Sequence, residues 1–347
     1  MSPAAPAPVP KNRVLLHIGV HKTGSTALQA ALAGARPQLR RNGVLYPGEA
    51  DAHHNAAWAV TGRPFGFGAE AQQPRIRQWR SLSRRVRRHR GRAIVSSEFF
   101  GRMQPDNIRT VVEGLGGDRV HVLLAVRPLV ELLPSSWQQY LKTGLTTDYE
   151  EWLRDVLEPG RPTTTPGFWS RADFTRIIRR WKSVVPASRI TAVVLDPKDR
   201  DLMDRTVAEL VGIPPELIRE NRAGTPSNRS LTAPEAELLR QVNLTVRPDM
   251  GWSSYAANIR HGAVRTIVEN RTPPAAEPRI RTPQWAVDLA LERQLRDLRR
   301  LKRSGVDLRG RRRRLKRVPR GADPAQITQL PVDLAALGLA SAAGWRP

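Results

Sequence analysis

The stretch from His17 to Thr26, HIGVHKTGST, decides how this chain folds. It overlaps the short apolar run VLLHI at 14–18, which is typical of a strand buried in a parallel sheet. From Ser25 onward, apolar residues recur at helical spacing, at Leu28, Ala31, Leu32 and Ala35. The pattern therefore predicts a strand, a loop and a helix in immediate succession.

The loop in this unit has the composition of an anion cradle. Consecutive backbone N–H groups at the start of a helix, helped by the helix dipole, bind phosphate or sulfate. Gly24 allows the backbone to approach an oxyanion closely, and Lys22 supplies a mobile positive charge. Ser25 and Thr26 add hydroxyl donors. Together with Thr23, these residues are the predicted anion-binding loop.

The loop differs from a Walker A motif. That motif ends in Gly-Lys-Ser/Thr, whereas Lys22 stands two residues before Gly24. The order disfavours ordinary nucleoside triphosphatases. A kinase acting on a small molecule remains an alternative, and the missing Walker lysine counts against it.

The same order of strand, loop and helix recurs further along the chain. Short apolar runs at 93–95, 120–126 and 190–195 each lead into a polar turn and then a helical segment. Strands that alternate with helices are typical of a mostly parallel, doubly wound sheet. We therefore predict an α/β fold with helices flanking the sheet. We expect a flexible lead-in at 1–12, one domain at 13–305 and a basic C-terminal extension at 306–347.

Composition limits the class of protein. The 347 residues contain no cysteine, which excludes disulfides and thiolate metal sites, and 40% are hydrophobic, enough for a sizeable core. No residue pattern indicates a metal. The N-terminus lacks the pattern of a signal peptide, and no apolar run approaches the roughly 18 residues of a membrane span. These features predict a cytoplasmic protein.

The formal net charge of +25 favours an anionic partner. Nucleic acid, an anionic cofactor or acceptor, and an anionic membrane surface are the three candidates. Because the chain has no recognised nucleic-acid-reading motif, a nucleic-acid or polyanion-binding protein is the alternative and not the main interpretation. The arginine-rich run at 311–317 is interpreted as a solvated face or tail.

The order Lys-Thr-Gly-Ser-Thr at 22–26, after an apolar strand, resembles the 5′-phosphosulfate-binding loop of sulfotransferases. The fold of that family is similar to that of nucleotide kinases, so the resemblance implies a P-loop-kinase-like fold. It also implies 3′-phosphoadenosine 5′-phosphosulfate (PAPS) as donor and adenosine 3′,5′-bisphosphate as product. The acceptor would be a hydroxyl or amine on a carbohydrate, lipid or small molecule.

The family also holds the 3′-phosphate of the donor, with an arginine after a later parallel strand and a serine eight residues further on. Arg127 and Ser135 match that spacing. A forked cation and a hydroxyl suit a phosphate dianion at the carboxyl edge of a sheet. Pro134 disturbs the helix there, so Ser136 is the alternative. A late loop, here 228–230, is expected to cover the nucleotide.

Transfer to an acceptor requires a general base. Glu98 follows the run at 93–95 and resembles the glutamate that some carbohydrate and protein sulfotransferases use. The alternatives are His21, His53 and His54, because a neutral imidazole is an apt base near pH 7. Lys22 would be the second catalytic residue, stabilising charge on the leaving oxygen.

Overall fold

A computed structural model describes residues 10, 12–63, 75–222 and 229–342. Its centre is a six-stranded sheet in the order β2-β3-β1-β4-β5-β6, in which all neighbouring strands are parallel. The strands are β1 Val14–His17, β2 Val44–Leu45, β3 Arg92–Ser96, β4 Val120–Val126, β5 Ile190–Val194 and β6 Asp307–Arg309.

Helices fill most connections between the strands. They are α1 Ser25–Gly34, α2 Arg36–Arg41, α3 His54–Thr61, α4 Ile76–Arg88, α5 Pro105–Gly114, α6 Leu129–Leu141, α7 Tyr149–Leu157, α8 Phe168–Ala172, α9 Phe174–Lys182, α10 Leu202–Val211, α11 Glu216–Arg222, α12 Ala233–Val246, α13 Trp252–Tyr255, α14 Val264–Asn270, α15 Gln284–Lys302 and α16 Val332–Ala342. A 3-10 turn, Glu98–Arg102, follows β3, and a π-helical segment, Ala256–Ala263, joins α13 to α14.

Alternating side chains of β1 face two separate cores. Leu16 packs with apolar residues of α3, α4, α5 and α9 on one face, whereas Leu15 packs with α1, α2, α10 and α11 on the other. Every residue of β1 is buried, which explains why the strand has no polar alternation in sequence. The predicted α/β class and doubly wound parallel sheet are confirmed.

The topology creates a crevice at the carboxyl edge of the sheet. The chain leaves β1 towards β2 and β3 on one side and later adds β4 on the other side. His17, at the end of β1, is in register with Ser96 of β3 and Leu123 of β4. Ligands of open α/β sheets bind where strand order reverses in this way. The loop after β1 lies at that point.

The sheet continues into the segment that the sequence assigns to a C-terminal extension. β6 pairs with β5, and Leu315 is fully buried in the same core as Leu16. Residues 307–315 thus contribute a strand and a core side chain to the sheet and its core, and the domain bounds expected at 13–305 and 306–347 stay a prediction. No helix within the described part of the chain is long and apolar enough to cross a membrane.

Candidate active site at the carboxyl edge of the sheet

The loop between β1 and α1 contains three residues with left-handed backbone angles. Gly19 has φ +47°, Lys22 +66° and Gly24 +80°. This region is uncommon for a residue with a side chain and costs of the order of 1–3 kcal/mol. Strain of this kind clusters at functional sites, and here it falls on the lysine that the sequence singles out.

A cavity of about 290 Å³ opens beside the loop. Lys22, Thr23, Gly24 and Ser25 line it together with Arg127, which lies one residue beyond the end of β4. The structure thus brings together five of the seven residues predicted to bind the donor. The remaining wall includes His17, Leu28, Glu131, Leu195, Asp196 and Arg200.

Several features of this cavity fit an anionic ligand. The Ser25 hydroxyl and Nε2 of His17 are buried, and neither has a hydrogen-bond partner among the described residues. A Cβ added to Gly24 would meet no atom within 4 Å, so the backbone there faces open space. Lys22 has no carboxylate at ion-pair distance in the described ranges. Unpaired donors around open space are what a phosphate or sulfate requires.

Two loop residues differ from the expected role. The Thr23 hydroxyl donates to the carbonyl of Val20 at 2.6 Å, so it closes the turn and is not free for a ligand. Thr26 is exposed on the first turn of α1 and does not line the cavity. The contribution of Thr23 is therefore through its backbone.

Arg127 ties the end of β4 to the loop. Its guanidinium donates to the carbonyl of Lys22 at 3.1 Å and pairs with Glu131 at 3.2 Å. The side chain still lines the cavity and is one third exposed. The residue can hold the strained loop and contact an anion at the same time, because guanidinium has five donors.

Ser135 does not line the cavity. Its hydroxyl donates to the carbonyl of Leu132 at 3.0 Å, within α6, and Pro134 lies inside the same helix. Ser136, the alternative, lines a smaller cavity of about 30 Å³ together with His21 and Lys22. Ser136 thus lines a cavity that Lys22 also borders, whereas Ser135, the residue before it in α6, lines neither cavity.

Glu98 lies directly beside the loop. A Cβ on Gly19 would come within 3.0 Å of Cγ of Glu98, and the carboxylate accepts a hydrogen bond from Gln29 Nε2 at 3.0 Å. Nδ1 of His54 is 3.7 Å away, and the glutamate side chain is 14% exposed. The general base predicted from sequence is therefore next to the anion-binding loop and partly open to solvent.

The electrostatic environment shifts the pKa values of both predicted catalytic residues. Burial lowers the pKa of Lys22 to about 8, and the nearby cations Lys142, Arg260 and Arg127 lower it as well. For Glu98, burial raises the pKa, but His21, His54 and the Gln29 hydrogen bond together outweigh burial and hold it below its ordinary value. Glu98 is a carboxylate at neutral pH.

The histidine alternatives occupy different positions. His53 is fixed by backbone groups, since its ring lies 2.8 Å from the carbonyl of Pro47 and accepts from the N–H of Ser96. His54 contacts the Ser97 hydroxyl at 2.8 Å. His21 has a buried Nε2 with no hydrogen-bond partner among the described residues, and burial lowers its pKa to about 3. Of these three histidines, His21 is the one that lines the smaller cavity together with Lys22 in the described part of the chain.

The arginine run at 311–317 is part of the frame of the site, which the sequence did not indicate. Arg314 forms an ion pair with Glu131 and lies 3.8 Å from Asp196, and both acids line the larger cavity. The one available signal was Leu315, an apolar residue in the middle of the basic run. The interpretation of the run as a solvated tail is wrong for Arg314 and Leu315.

The late loop is also placed differently. Arg229 forms an ion pair with Glu235 at 2.7 Å, and Glu235 pairs in turn with Arg271. Arg229 therefore serves a partly buried ionic network at the start of α12. Asn228, the first residue expected to cover the nucleotide, lies outside the described residues.

Comparison with known proteins finds similarity in three-dimensional structure and none in sequence. No protein-family model matches the chain. No curated protein matches its sequence. Solved structures similar to this one include a sulfotransferase from Alicyclobacillus acidocaldarius, with 14% sequence identity and a TM-score of 0.43 over 74% of this chain and 96% of that chain.

Proposed function

We propose that the chain is a sulfotransferase that moves a sulfuryl group from PAPS to a hydroxyl or amine of an acceptor. The observation that carries the proposal is the cavity at the carboxyl edge of the sheet, where Lys22, Gly24 and Ser25 of the loop meet Arg127. The resemblance of residues 22–26 to a phosphosulfate-binding loop supports the same conclusion.

The cavity offers one cation for each charged group of such a donor, the 5′-phosphosulfate and the 3′-phosphate. The loop offers backbone N–H groups, the Ser25 hydroxyl and Lys22 to the 5′-phosphosulfate. Arg127 offers a guanidinium to the 3′-phosphate. PAPS, when bound, supplies a sulfur whose leaving group is a phosphate oxygen. The assignment of Ser135 to the 3′-phosphate stays a prediction, which requires its hydroxyl to leave the carbonyl of Leu132.

The reaction is an in-line displacement at sulfur. A lone pair on the acceptor oxygen or nitrogen forms the new bond to sulfur, while the bond between sulfur and the bridging oxygen breaks. That oxygen leaves with the electron pair as part of adenosine 3′,5′-bisphosphate. As in phosphoryl transfer, positioning and charge stabilisation account for most of the rate.

Two residues take part in the chemical step. In the proposed reaction the Lys22 ammonium stabilises the negative charge that grows on the bridging oxygen, and a charge in a partly buried site stabilises a transition state more than it would in water. The Glu98 carboxylate accepts the proton that the acceptor loses. Gln29 holds that carboxylate by a hydrogen bond.

A titration tests the proposal without knowledge of the acceptor. The protein is titrated with adenosine 3′,5′-bisphosphate, adenosine 5′-monophosphate and ATP. We expect the bisphosphate to bind about tenfold or more tightly than the monophosphate, because a charge-assisted contact contributes roughly 1.5–3 kcal/mol. Arg127→Gln should remove that preference, whereas Arg109→Gln, at an exposed arginine of α5, should keep it. Tightest binding of ATP would contradict the proposal and favour a kinase.

A further inference from the structure

A second, smaller cavity borders the loop and is not used by the proposed donor. It measures about 30 Å³ and is lined by His21, Lys22, Ser136, Tyr140 and Arg171 among others. Lys22 lines this cavity as well as the larger one, so the two meet at the catalytic lysine. A cavity of this size accommodates one functional group and not a whole acceptor.

Arg180 joins the segment that carries Arg171, which lines this cavity, to the segment that carries Arg102, which lies outside its lining. Its guanidinium donates to the carbonyl of Gly101 at 2.7 Å and to that of Ser170 at 3.2 Å. Arg102 and Arg171 are the residues that follow these two carbonyls in the chain. The buried Arg180 thereby joins the 3-10 turn after β3 to α8, and the guanidinium of Arg102 feels the positive charge of the guanidinium of Arg171.

These two guanidinium groups have no neutralising partner within the described part of the chain. Arg171 donates to the Tyr140 hydroxyl and to the carbonyl of Gly167, both uncharged, and no carboxylate lies at ion-pair distance from either arginine. Arg102 lies over the ring of Trp58, 5.6 Å from its centre. Burial lowers the pKa of Arg102 to about 10, and the charge of Arg171 lowers it as well.

An unpaired ring nitrogen adds to this arrangement, and it donates a hydrogen bond to an anion in the tautomer that carries the proton on Nε2. Nε2 of His21 is buried without a hydrogen-bond partner among the described residues, and the charges of Arg171 and Arg102 both act on that ring. Partly buried cations and an unsatisfied ring nitrogen carry a free-energy cost that an anionic ligand would offset. Guanidinium groups match the planar or tetrahedral oxygens of carboxylate and sulfate.

We infer that this second cavity binds an anionic group, a carboxylate or a sulfate ester, carried by the sulfuryl acceptor. The inference rests on the proposed function, because it takes the bound molecule to be the acceptor. The 3-10 turn Glu98–Arg102 is the reason to assign this anionic group to the acceptor and not to the donor. Its first residue is the proposed general base and its last residue is Arg102, so an anion that Arg171 holds in the cavity, attracted also by the charge of Arg102, brings its own molecule close to Glu98.

Three small probes test the inference by binding to the full chain. Benzoate carries a carboxylate, phenyl sulfate carries a sulfate ester, and benzyl alcohol is the uncharged control of similar size. The dissociation constants are measured by ligand-observed NMR. The three probes share a phenyl ring, so any contact of that ring with the protein is common to all three and only the anionic group differs. We expect benzoate, phenyl sulfate or both to bind about tenfold or more tightly than benzyl alcohol.

Matched variants locate the effect. Arg102→Gln should weaken binding of the preferred anion about tenfold and leave benzyl alcohol unchanged. Arg77→Gln removes the same charge from an exposed position of α4 and should change neither. Arg171→Lys, which keeps charge but loses the forked geometry, should give an intermediate loss.

Equal binding of the three probes would overturn the inference, as would an equal loss on Arg77→Gln. The affinity for adenosine 3′,5′-bisphosphate, measured on the same samples, reports on the donor site separately. If that nucleotide fails to bind while benzoate or phenyl sulfate still depends on Arg102, the proposed function fails and anion binding at this cavity stands.

Discussion

Lys22 and Arg127 contact opposite ends of the proposed donor, so their loss should affect different steps. In the proposed function, Lys22 meets the bridging oxygen, where charge develops in the transition state. Lys22→Ala should therefore lower kcat by roughly 10²–10³ with a smaller effect on donor affinity. Arg127 meets the 3′-phosphate, whose charge does not change, so Arg127→Ala should mainly weaken PAPS binding, by about 1.5–3 kcal/mol. Steady-state kinetics with varied PAPS separate the two effects.

Adenosine 5′-phosphosulfate, which lacks the 3′-phosphate, is the control. Against this donor, Arg127→Ala should cost little and Lys22→Ala should remain damaging. Arg127 also donates to the carbonyl of Lys22, so its loss could disturb the loop itself, and this control distinguishes that effect from the loss of a 3′-phosphate contact. If Arg127→Ala impairs both donors equally, the arginine acts by holding the loop and the 3′-phosphate is bound elsewhere.

Glu98 is tested by a substitution that preserves its shape. Glu98→Gln keeps a hydrogen bond with Gln29 possible and removes basicity, so turnover should fall by roughly 10²–10⁴ while affinity for adenosine 3′,5′-bisphosphate stays nearly constant. Turnover is followed by release of the bisphosphate. Near-normal turnover would transfer the role of base to His21, which lines the second cavity.

The lowered pKa of Lys22 predicts an alkaline limit for the proposed activity. Since its pKa lies near 8, below the ordinary value, the ammonium is present below about pH 8 and is lost as the pH rises through it. The ratio kcat/KM, which reports on the free enzyme, should therefore fall above about pH 8. Lys22→Arg keeps the charge and should remove this limb. An unchanged alkaline limb in Lys22→Arg would assign it to another group.

At the scale of elements, the C-terminal segment behaves as part of the domain. β6 completes the sheet, and Leu315 is fully buried. Leu315→Ala should lower the free energy of unfolding by about 2–5 kcal/mol, the usual cost of a cavity in a core. Urea denaturation measures this, with Arg312→Ala at an exposed neighbour as the control. A loss below 1 kcal/mol in Leu315→Ala would mean that the segment is an appendage after all.

The elements differ in how well the sequence predicts them. β1, β4 and β5 are evident because a strand buried on both faces reads as an unbroken apolar run. β2 and β6, with two and three residues, are too short to show a period and exist through pairing with a longer neighbour. Their place in the sheet is a property of tertiary structure.

The residues of the site also differ in how well the sequence predicts them. The loop at 18–24 is predictable because its geometry depends on residues close in sequence. The pairing of Arg314 with Glu131 joins residues 183 positions apart, and the segments that carry Arg102 and Arg171 are joined through a third residue, Arg180. Contacts between residues far apart in the chain leave no local pattern in the sequence. In a chain this rich in arginine, the sequence alone therefore does not indicate which arginines belong to the site.

At the scale of the whole molecule, the central claim is transfer of a sulfuryl group. The full chain is incubated with PAPS labelled with sulfur-35 and with a set of hydroxyl and amine acceptors that includes matched anionic and neutral members. The account predicts label in an acceptor, with one adenosine 3′,5′-bisphosphate released for each label transferred and with anionic acceptors preferred. Lys22→Ala should abolish most of the transfer. Absence of labelled acceptor, together with transfer of phosphorus-32 from γ-labelled ATP, would contradict the account.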